Sequence, residues 1–526
     1  MIQDFATCTE EALIEADICI VGAGAAGITV ARSLLDSGLD ILLLESGGKD
    51  YEQPTRDLAE GKSVGFPYYP LAESRLRFFG GTTAVWGGRS AQLDRIDFRK
   101  RSWVEHSGWP FDKDLLRTYY RKAQKSLGLS EVDDNTLPGF ESSLQDIQPA
   151  FWQFDEKFDR FTFNSCSDLT SSQNVRILLH ATAVGLSPAE NGRTIESLQI
   201  ANLQGARGTV RAKTYLLASG GLEIPRLLLA SRHETHPNGV GNNHELVGRF
   251  FMEHPHARGA RVFPRDARRL FEMLPRFIRH SGERYGMLMR PSEVLQEKEG
   301  ILNSCFTIAV RKHPGEQQVF YKDVYNKLRH KLSPTRLGRA AWKTTRRASI
   351  QAQDKLGPYL NRRSLAKKGN GLYAVIRAEQ APNPNSRITL SDERDSLGVP
   401  RIALDWQMSG IDKHSITRLM SAFDGELQRL GLGAVEPAMW LADDSKDWET
   451  DPLVSNHSIG GYHHMGTTRM ATIANNGVVD ENCRVHGVEN LYIAGSSVFP
   501  TGGWANPTLT IIALAIRLAD RIKTAA

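Results

Sequence analysis

DICIVGAGAAGITVARSLLDSGLDILLLE, residues 17–45, decides the fold of this chain. A short apolar run at 18–21 ends in the glycine-rich turn GAGAAG, and a helical pattern of apolar residues follows at 28–35. A second apolar run, Ile41–Leu44, then ends in Glu45. Strand, glycine turn, helix, strand and terminal acid form the dinucleotide-binding fingerprint in its required context. The stretch therefore predicts a βαβ unit that binds a dinucleotide.

The spacing gives each glycine of this turn a separate role. Gly22 permits the tight turn, Gly24 lets the backbone approach a pyrophosphate, and Gly27 lets the helix pack closely on the strand. The helix N-terminus offers free N–H groups and partial positive charge to the phosphates. Glu45 lies about twenty residues beyond the glycines, where an acid can bind both ribose hydroxyls.

Composition limits the class of protein. A chain of 526 residues, 40% hydrophobic and 24% charged, is an ordinary globular chain and is long enough for two domains, possibly discontinuous. It has no apolar run near the ~20 residues that span a bilayer. The acidic N-terminus, MIQDFATCTEEALIEAD, lacks the features of a secretory signal. We therefore expect a cytoplasmic protein, with export alongside a signal-bearing partner left open.

The five cysteines are scattered, with no CxxC pair. This pattern argues against a disulfide framework, a zinc site, an iron–sulfur cluster or a c-type haem. The sequence therefore predicts no metal site in this chain.

Charge is unevenly distributed along the chain. Residues 311–368 contain sixteen Lys or Arg residues against three acids, a local excess of 13 positive charges, whereas the whole chain carries a net +5. Such a run is most often a solvated face. Docking to an acidic partner protein or an anionic membrane surface is the sharper hypothesis. Nucleic-acid binding is disfavoured, because the run has no nucleic-acid motif and few aromatic residues for stacking.

Three further stretches suggest ligand contact. The run GGTTAVWGG at 80–88 is too rich in glycine for a helix or strand interior, and Trp86 argues against a merely solvated turn. A second strand, glycine turn and helix surround 219–221, where a packing turn is as good an interpretation as a phosphate site. Near the C-terminus, adjacent histidines in YHHMGT precede a strand, a glycine turn and the ANPT start of the last helix. RFFMEHPH at 249–256 also concentrates aromatic residues and two histidines.

Taken in order, these stretches resemble the glucose–methanol–choline (GMC) flavin oxidoreductases. The matching pieces are VGAGAAG with Glu45, GGTTAVWGG, LASGGLEIPRLLLAS at 217–231, HHMGTTRM, and VHGVENLYIAGSSVFPTGGWANPTLTIIALA at the end. The resemblance implies an α/β fold with a Rossmann-like FAD-binding domain and an inserted α+β substrate domain on a mixed or antiparallel sheet. The implied FAD-binding domain comprises residues 1–127, 166–260 and 455–526. The implied substrate domain comprises 128–165 and 261–454.

The resemblance also assigns the reaction and its residues. It implies oxidation of an alcohol, with His463 taking the hydroxyl proton as hydride leaves for flavin N5, and with Asn506 as the second catalytic residue. A histidine near its ordinary pKa of ~6.5 suits this task. His464 is the competing base, and we interpret it as a packing residue. The predicted FAD contacts are Gly22, Gly24, Ala25, Ala26, Gly27, Glu45, Gly81, Thr82, Thr83, Trp86, Gly88, Val184, Ser219, Gly495, Ser496, Asn506, Pro507 and Thr508.

Two features narrow the subgroup. Some family members attach FAD through a histidine at the position of Val85, which cannot form that bond, so we predict dissociable FAD. The GGTT-x-x-W form, together with Asn506, is similar to pyranose oxidases and bacterial glucoside 3-dehydrogenases. It favours a ring secondary hydroxyl of a sugar or glycoside, oxidised to a ketone.

Four alternatives stay open at this point. They are oxidation of a primary or aryl alcohol to an aldehyde, a lyase that binds FAD without net redox chemistry, a pyridine-nucleotide dehydrogenase, and a docking subunit centred on 311–368. The sequence does not reveal the electron acceptor, and oxygen, a quinone or a haem partner all fit.

Overall fold

The protein is described here by a computed structural model that covers residues 1–525, except 138, 314, 316, 319, 323, 326–327, 329–333, 444, 446, 452 and 454–459. The predicted domain boundary at 454/455 and part of the basic segment 311–368 lie outside the described residues. No helix in the described ranges is both long and apolar enough to cross a membrane.

The first sheet is built around the glycine turn. Its strands run in the spatial order β1-β7-β3-β2-β10-β9-β8, with β19 also paired to β10. Neighbours from β1 to β10, and β19, are parallel, whereas β9 and β8 add antiparallel hairpin strands. The bounds are β1 Ile2–Asp4, β2 Ala12–Val21, β3 Ile41–Leu44, β7 Val175–Leu179, β8 Thr182–Pro188, β9 Ile195–Ala201, β10 Arg207–Leu217 and β19 Leu491–Ile493.

Helices cover this sheet because its central strands are apolar on both faces. All four residues of β3 are buried, as expected for the interior of a parallel sheet. The helix α1, Ala25–Ser33, follows β2, and it packs against the C-terminal helix α11, Thr508–Ala525. The helix α6, Gly220–Ala230, follows β10 in the same way. Three separate chain segments thus bring helix N-termini to the carboxyl edge of one sheet.

The second sheet is antiparallel throughout, in the order β18-β11-β15-β14-β13-β6-β5, with β12 paired to β13. Its bounds are β5 Arg89–Ser90, β6 Ile147–Phe154, β11 His256–Pro264, β12 Phe277–His280, β13 Glu283–Pro291, β14 Cys305–Lys312, β15 Asn370–Arg377 and β18 Gly433–Pro437. The long helix α10, Gly410–Arg429, buries Ile416, Leu419 and Phe423 against it. A second long helix, α9 at Arg336–Leu365, lies near β12, β14 and β15.

The remaining elements are short. A third sheet joins β4 Gly61–Ser63, β16 Arg387–Arg394 and β17 Pro400–Asp405. Among the described residues, further α-helices are α2 Gln53–Asp57, α3 Arg95–Phe98, α4 Arg117–Ser126, α5 Ser167–Thr170, α7 Ala267–Met273 and α8 Glu293–Glu299.

The predicted fold class is confirmed: a Rossmann-like parallel sheet is combined with a second, antiparallel sheet. The detailed domain limits stay a prediction, and two of the predicted segments of the FAD-binding domain contain strands of the second sheet. The segment 1–127 also supplies β5 to the second sheet, and β11 of that sheet already begins at His256, inside the segment 166–260.

Candidate active site

The glycine turn lines a cavity of about 250 Å³ at the carboxyl edge of the first sheet. Gly22 has φ +107°, and a Cβ there would lie 2.9 Å from the carbonyl oxygen of Ala218. A Cβ on Gly27 would lie 2.0 Å from the carbonyl oxygen of Gly22. These two glycines are therefore required by the packing of the turn itself, as the spacing predicted.

The glycines that face the cavity behave differently. A Cβ on Gly24, Gly220 or Gly495 would have no atom within 4 Å, and all three residues line the cavity. Gly24 precedes the first turn of α1, and Gly220 begins α6. First-turn amides have no acceptor within their own helix. The open space beside two helix N-termini is a cradle suited to a pyrophosphate.

Glu45 lies at the end of β3, buried beside this cradle. Its carboxylate accepts hydrogen bonds from the backbone N–H of Ala23 at 3.1 Å and of Gly47 at 2.9 Å. Burial raises the pKa of Glu45, and these two amides oppose that shift. The carboxylate is therefore fixed in position at the cavity wall, where a ribose can approach it.

The charged residues of this smaller cavity neutralise one another. Glu223 accepts from Arg75 at 2.7 Å and from Arg77 at 2.5 Å, and lies 3.3 Å from Arg226. Arg226 in turn pairs with Asp395 at 2.6 Å. Burial alone would raise the pKa of Glu223, but the guanidinium groups hold it well below its usual value.

A second cavity of about 850 Å³ adjoins the first. Both cavities are lined by Leu76, Thr82, Thr83, Tyr462, Ser496 and Ile511, so they form one continuous trench. His463, Asn506, Pro507, Thr508 and Trp86 line the larger cavity. The trench thus leads from the cradle to the predicted catalytic pair.

His463 lies between two hydrogen-bonding side chains. Its Nδ1 is 2.8 Å from Nδ1 of His254, and its Nε2 is 3.2 Å from Nδ2 of Asn506. Nε2 of His254 is 2.8 Å from the carbonyl oxygen of Gly503, which can only accept. Burial lowers the pKa of His254 to about 4, so this imidazole is neutral near pH 7.

These contacts assign the tautomer of both rings. His254 donates from Nε2 to Gly503, so its Nδ1 carries no proton and must accept. His463 therefore donates from Nδ1, which leaves a lone pair on its Nε2. That lone pair faces the amide of Asn506 at the cavity wall. The network thus leaves Nε2 of His463 able to accept a hydrogen bond or a proton.

Glu253 holds the backbone beneath this pair. The buried carboxylate accepts from the backbone N–H of His463 at 2.9 Å and of Gly461 at 3.2 Å, and from the hydroxyl of Tyr68 at 2.6 Å. Burial raises its pKa, and these donors oppose that shift. The loop that carries His463 is therefore anchored by a buried acid.

His464 has a different environment from its neighbour. It is buried, and its Nε2 is 3.0 Å from the hydroxyl oxygen of Tyr68. Because that hydroxyl donates to Glu253, His464 is the donor to Tyr68. Burial, with a contribution from Arg75, lowers the pKa of His464 to about 3. Its neutral donor role suits the interpretation of His464 as a packing residue.

Most of the predicted contact residues line the trench. The exceptions are Gly27, which packs inside the turn, and Gly88 and Val184. A Cβ on Gly88 would lie 2.2 Å from the carbonyl oxygen of Asp155, so this glycine permits a close backbone contact. Val184 lies in β8, just beyond the lining residues Ala181, Thr182 and Ala183.

Several residues that line the trench or hold His463 in place were not predicted from the sequence. His254 and Glu253 fall in the RFFMEHPH stretch, whose unusual composition was the available signal. Arg75 and Arg77 of the smaller cavity carried no motif, and Glu223 lies in the matching stretch 217–231 but was given no role. The larger cavity is also lined by a set of arginines that no local pattern indicated: Arg89, Arg276, Arg311, Arg346 and Arg377.

Two family models cover most of the chain. One described as FAD dependent oxidoreductase matches residues 17–277, and one described as GMC oxidoreductase matches residues 382–515. The chain belongs to the GMC oxidoreductases. It is accordingly an FAD-dependent enzyme that oxidises a small-molecule alcohol.

Relatives of this GMC oxidoreductase act on different alcohols. It is 24% identical to 2-methyl-1,2-propanediol dehydrogenase of Mycolicibacterium austroafricanum, over 97% of this chain and 95% of the relative. It is 22% identical to the fructose dehydrogenase large subunit of Gluconobacter japonicus, over 97% and 98%. A match at 33% identity to C-glycoside 3-oxidase of Microbacterium trichothecenolyticum covers 26% of this chain and 24% of that protein.

The trench of this GMC oxidoreductase fits FAD on its own features. Open glycine positions provide the cradle, and Glu45 provides the acid for a ribose. The buried indole Nε1 of Trp86 in the larger cavity has no hydrogen-bond partner among the described residues. Buried donors of this kind normally have an acceptor, and a bound ligand is one way to supply it.

Proposed function

We propose that this enzyme oxidises a ring secondary hydroxyl of a sugar or glycoside to a ketone, with His463 as the catalytic base. The observation that carries the proposal is the position of His463, whose Nδ1 is 2.8 Å from His254 Nδ1 and whose Nε2 is 3.2 Å from Nδ2 of Asn506 in the cavity wall. Bound FAD would supply the hydride acceptor. The remaining chemistry belongs to the chain's own residues.

The substrate hydroxyl would enter between the two side chains. It would donate to Nε2 of His463 and accept from Nδ2 of Asn506, and so would replace the 3.2 Å contact between them. Nε2 then takes the hydroxyl proton as the carbon–hydrogen bond breaks. Because Asn506 cannot titrate, it holds the oxygen without competing for the proton. The charge formed on His463 is spread toward His254, whose neutral Nδ1 accepts from it.

Cofactor binding follows from the same trench. Gly24, Ala25 and Ala26 at the start of α1 would contact the pyrophosphate, and Glu45 the ribose. Thr83, Trp86, Asn506, Pro507 and Thr508 line the part that would hold the reactive ring. Val85 also lines this part and offers no atom for a covalent bond, which supports our proposal that FAD is bound non-covalently.

Two considerations support a sugar rather than a simple alcohol. The relatives include a fructose dehydrogenase subunit and a C-glycoside 3-oxidase, and carbon 3 of a pyranose bears a ring secondary hydroxyl. A cavity of about 850 Å³ is also large enough for a sugar beside the cofactor ring. The second candidate is oxidation of a primary alcohol, and similarity to a 2-methyl-1,2-propanediol dehydrogenase favours it.

Anaerobic flavin reduction tests the proposal. The purified yellow protein is mixed without oxygen with methyl glycosides, free sugars, 1,2-diols and aryl alcohols, and loss of the oxidised flavin absorbance is followed. We expect glycosides or sugars to bleach the flavin and give a ketone by mass spectrometry and carbonyl derivatisation. Aldehyde products from the diols alone would favour the second candidate. A protein whose flavin no alcohol reduces would contradict both.

A further inference from the structure

The larger cavity has a strongly basic wall. Seven arginines line the cavity, and two of them, Arg56 and Arg339, pair with acids. The other five form the basic wall: Arg89 of β5, Arg276 next to β12, Arg311 of β14, Arg346 of α9 and Arg377 of β15. Four of them, all except Arg311, form no ion pair with any described residue. Glu73 is the single acid among the described lining residues. Among the described residues the wall therefore carries an excess of positive charge, although Glu156 acts on Arg346 and Asp451 on Arg311 through space.

The arginine donors are buried and in part unused. Nε of Arg89, Nε of Arg346 and Nη1 of Arg377 are inaccessible to solvent and have no hydrogen-bond partner among the described residues. Burial lowers the pKa of Arg89, and the neighbouring Arg377 and Arg346 lower it further. Burial, followed by the charge of Arg311, lowers the pKa of Arg276 to about 9. Unmatched buried cations destabilise a fold, and native proteins normally pair them.

Packing holds two of these groups in place. The guanidinium groups of Arg89 and Arg377 lie 5.4 and 5.1 Å from the same ring, the indole of Trp152. An arginine whose plane is supported by an aromatic ring keeps its outward N–H groups oriented for a planar or tetrahedral anion. Contact with the indole of Trp152 therefore fixes the orientation of both guanidinium groups.

The basic wall is close to the catalytic histidines. Arg377 lies opposite His256 in the register between β15 and β11, two residues beyond His254. His463 and all five arginines line the same cavity. An anion bound at this wall would thus belong to the molecule whose hydroxyl reaches His463.

We infer that the substrate is an acidic sugar or glycoside, whose carboxylate or phosphate group binds Arg89, Arg346 and Arg377 while its ring hydroxyl reaches His463. The inference rests on the proposed function for the identity of the reacting hydroxyl. Arginine is suited to this recognition because its fork of N–H donors matches carboxylate and phosphate oxygens. Arg311 and Arg346 of the basic run 311–368 would then face the substrate. A docking partner could contact only those basic residues of the run that do not line the cavity.

Matched pairs of ligands test the inference. Methyl glucuronide is compared with its uncharged methyl ester, and glucose 6-phosphate with glucose. Binding to the FAD-loaded enzyme is measured by calorimetry, and flavin reduction is measured anaerobically. We expect at least tenfold tighter binding of the acid in one pair, reduced at high salt. The favoured pair identifies the group as carboxylate or phosphate.

Variants locate the anion site. Arg346→Gln and Arg89→Gln should each reduce the acid-over-neutral preference at least fivefold, through Kd and not through FAD content. Arg347→Gln, the exposed neighbour of Arg346 on α9, is the matched control and should keep the preference. A change of equal size in Arg347→Gln would overturn the assignment of this wall.

Failure of the inference and of the proposed function can be told apart. Equal binding of acid and neutral compound in both pairs overturns the inference, even if sugars reduce the flavin. A flavin that no sugar reduces counts against the proposed function, while the calorimetric preference still decides whether an anion site exists.

Discussion

The buried arginines of the two cavities differ in one respect: those of the smaller cavity have acidic partners, and two of those in the larger cavity have none among the described residues. In the smaller cavity Arg75, Arg77 and Arg226 all converge on Glu223. In the larger cavity Arg89 and Arg377 have no acidic partner among the described residues. The first arrangement is complete within the protein and builds the wall of the cofactor cradle. The second lacks its anion, which indicates a site for ligand rather than a support for the fold.

The largest expected effect on stability comes from breaking the complete arrangement. Glu223→Gln leaves the buried guanidinium groups of Arg75 and Arg77 without their acid, while Arg226 keeps Asp395, and the free energy of unfolding should fall by about 3–5 kcal/mol. Arg346→Gln removes a charge from the incomplete arrangement and should change stability by less than about 1 kcal/mol. Urea unfolding of the two FAD-free variants makes the comparison. Equal losses would show that both clusters are structural.

A pH titration examines the buried histidines that border the two cavities. Burial depresses the pKa of His254 to about 4 and that of His464 to about 3, against about 6.5 in an unfolded chain. The unfolded chain therefore binds more protons between these values, and the folded state should lose stability as the pH falls from about 6.5 toward 4. The loss due to His254 amounts to about 3 kcal/mol.

Unfolding free energies measured at several pH values check this sign. His254→Asn removes one titrating group, and the slope between about pH 6.5 and 4 should become shallower. The exposed His244→Asn is the control and should leave the slope as it is. An unchanged slope in His254→Asn would contradict a neutral, buried His254.

A smaller difference in stability is expected between alanine variants of two glycines in the turn, Gly27 and Gly24. In Gly27→Ala the new methyl group would lie 2.0 Å from a backbone oxygen, and FAD-free protein should lose about 2 kcal/mol of stability. In Gly24→Ala nothing lies within 4 Å of the methyl group, so stability should stay within about 0.5 kcal/mol. FAD affinity should nevertheless fall in Gly24→Ala, because the methyl group occupies ligand space. Thermal unfolding and FAD titration measure both.

The smallest effect concerns the hydrogen bond behind the catalytic base. His254→Phe removes the acceptor of His463 Nδ1–H, and kcat should fall on the order of tenfold because the tautomer is no longer fixed. His254→Asn offers an amide oxygen at a similar place and should retain more of kcat. A KM change of the same size as the kcat change in both variants would indicate a purely structural role.

The cofactor half of the trench could be predicted because its determinants are local. A glycine turn, a helix start and the acid that ends the next strand lie within residues 17–45, and their spacing alone fixes their geometry. His463 and Asn506 were assigned through whole-chain resemblance, and the structure brings them within 3.2 Å across 43 residues of sequence.

The substrate half could not be predicted in this way. Its arginines come from β5, β14, β15, α9 and the residue before β12, and the register of an antiparallel sheet, together with the packing of α9 on that sheet, brings them together. No spacing in the sequence encodes that register. The basic run therefore looked like a solvated face, although Arg311 and Arg346 within it line the cavity. His254 likewise lies in a stretch of unusual composition, 249–256. Its contact with His463, 209 residues away in sequence, follows only from the folded structure.

The proposed reaction requires Nε2 of His463 to accept the hydroxyl proton. The most direct measurement is the anaerobic rate of flavin reduction by the preferred substrate in wild type, His463→Gln and the exposed control His244→Gln. We expect His463→Gln to bind FAD with the wild-type absorbance spectrum and to reduce it about 10²–10⁴-fold more slowly, while the control keeps the wild-type rate. A reduction rate for His463→Gln within a few fold of wild type, at full FAD occupancy, would contradict the account.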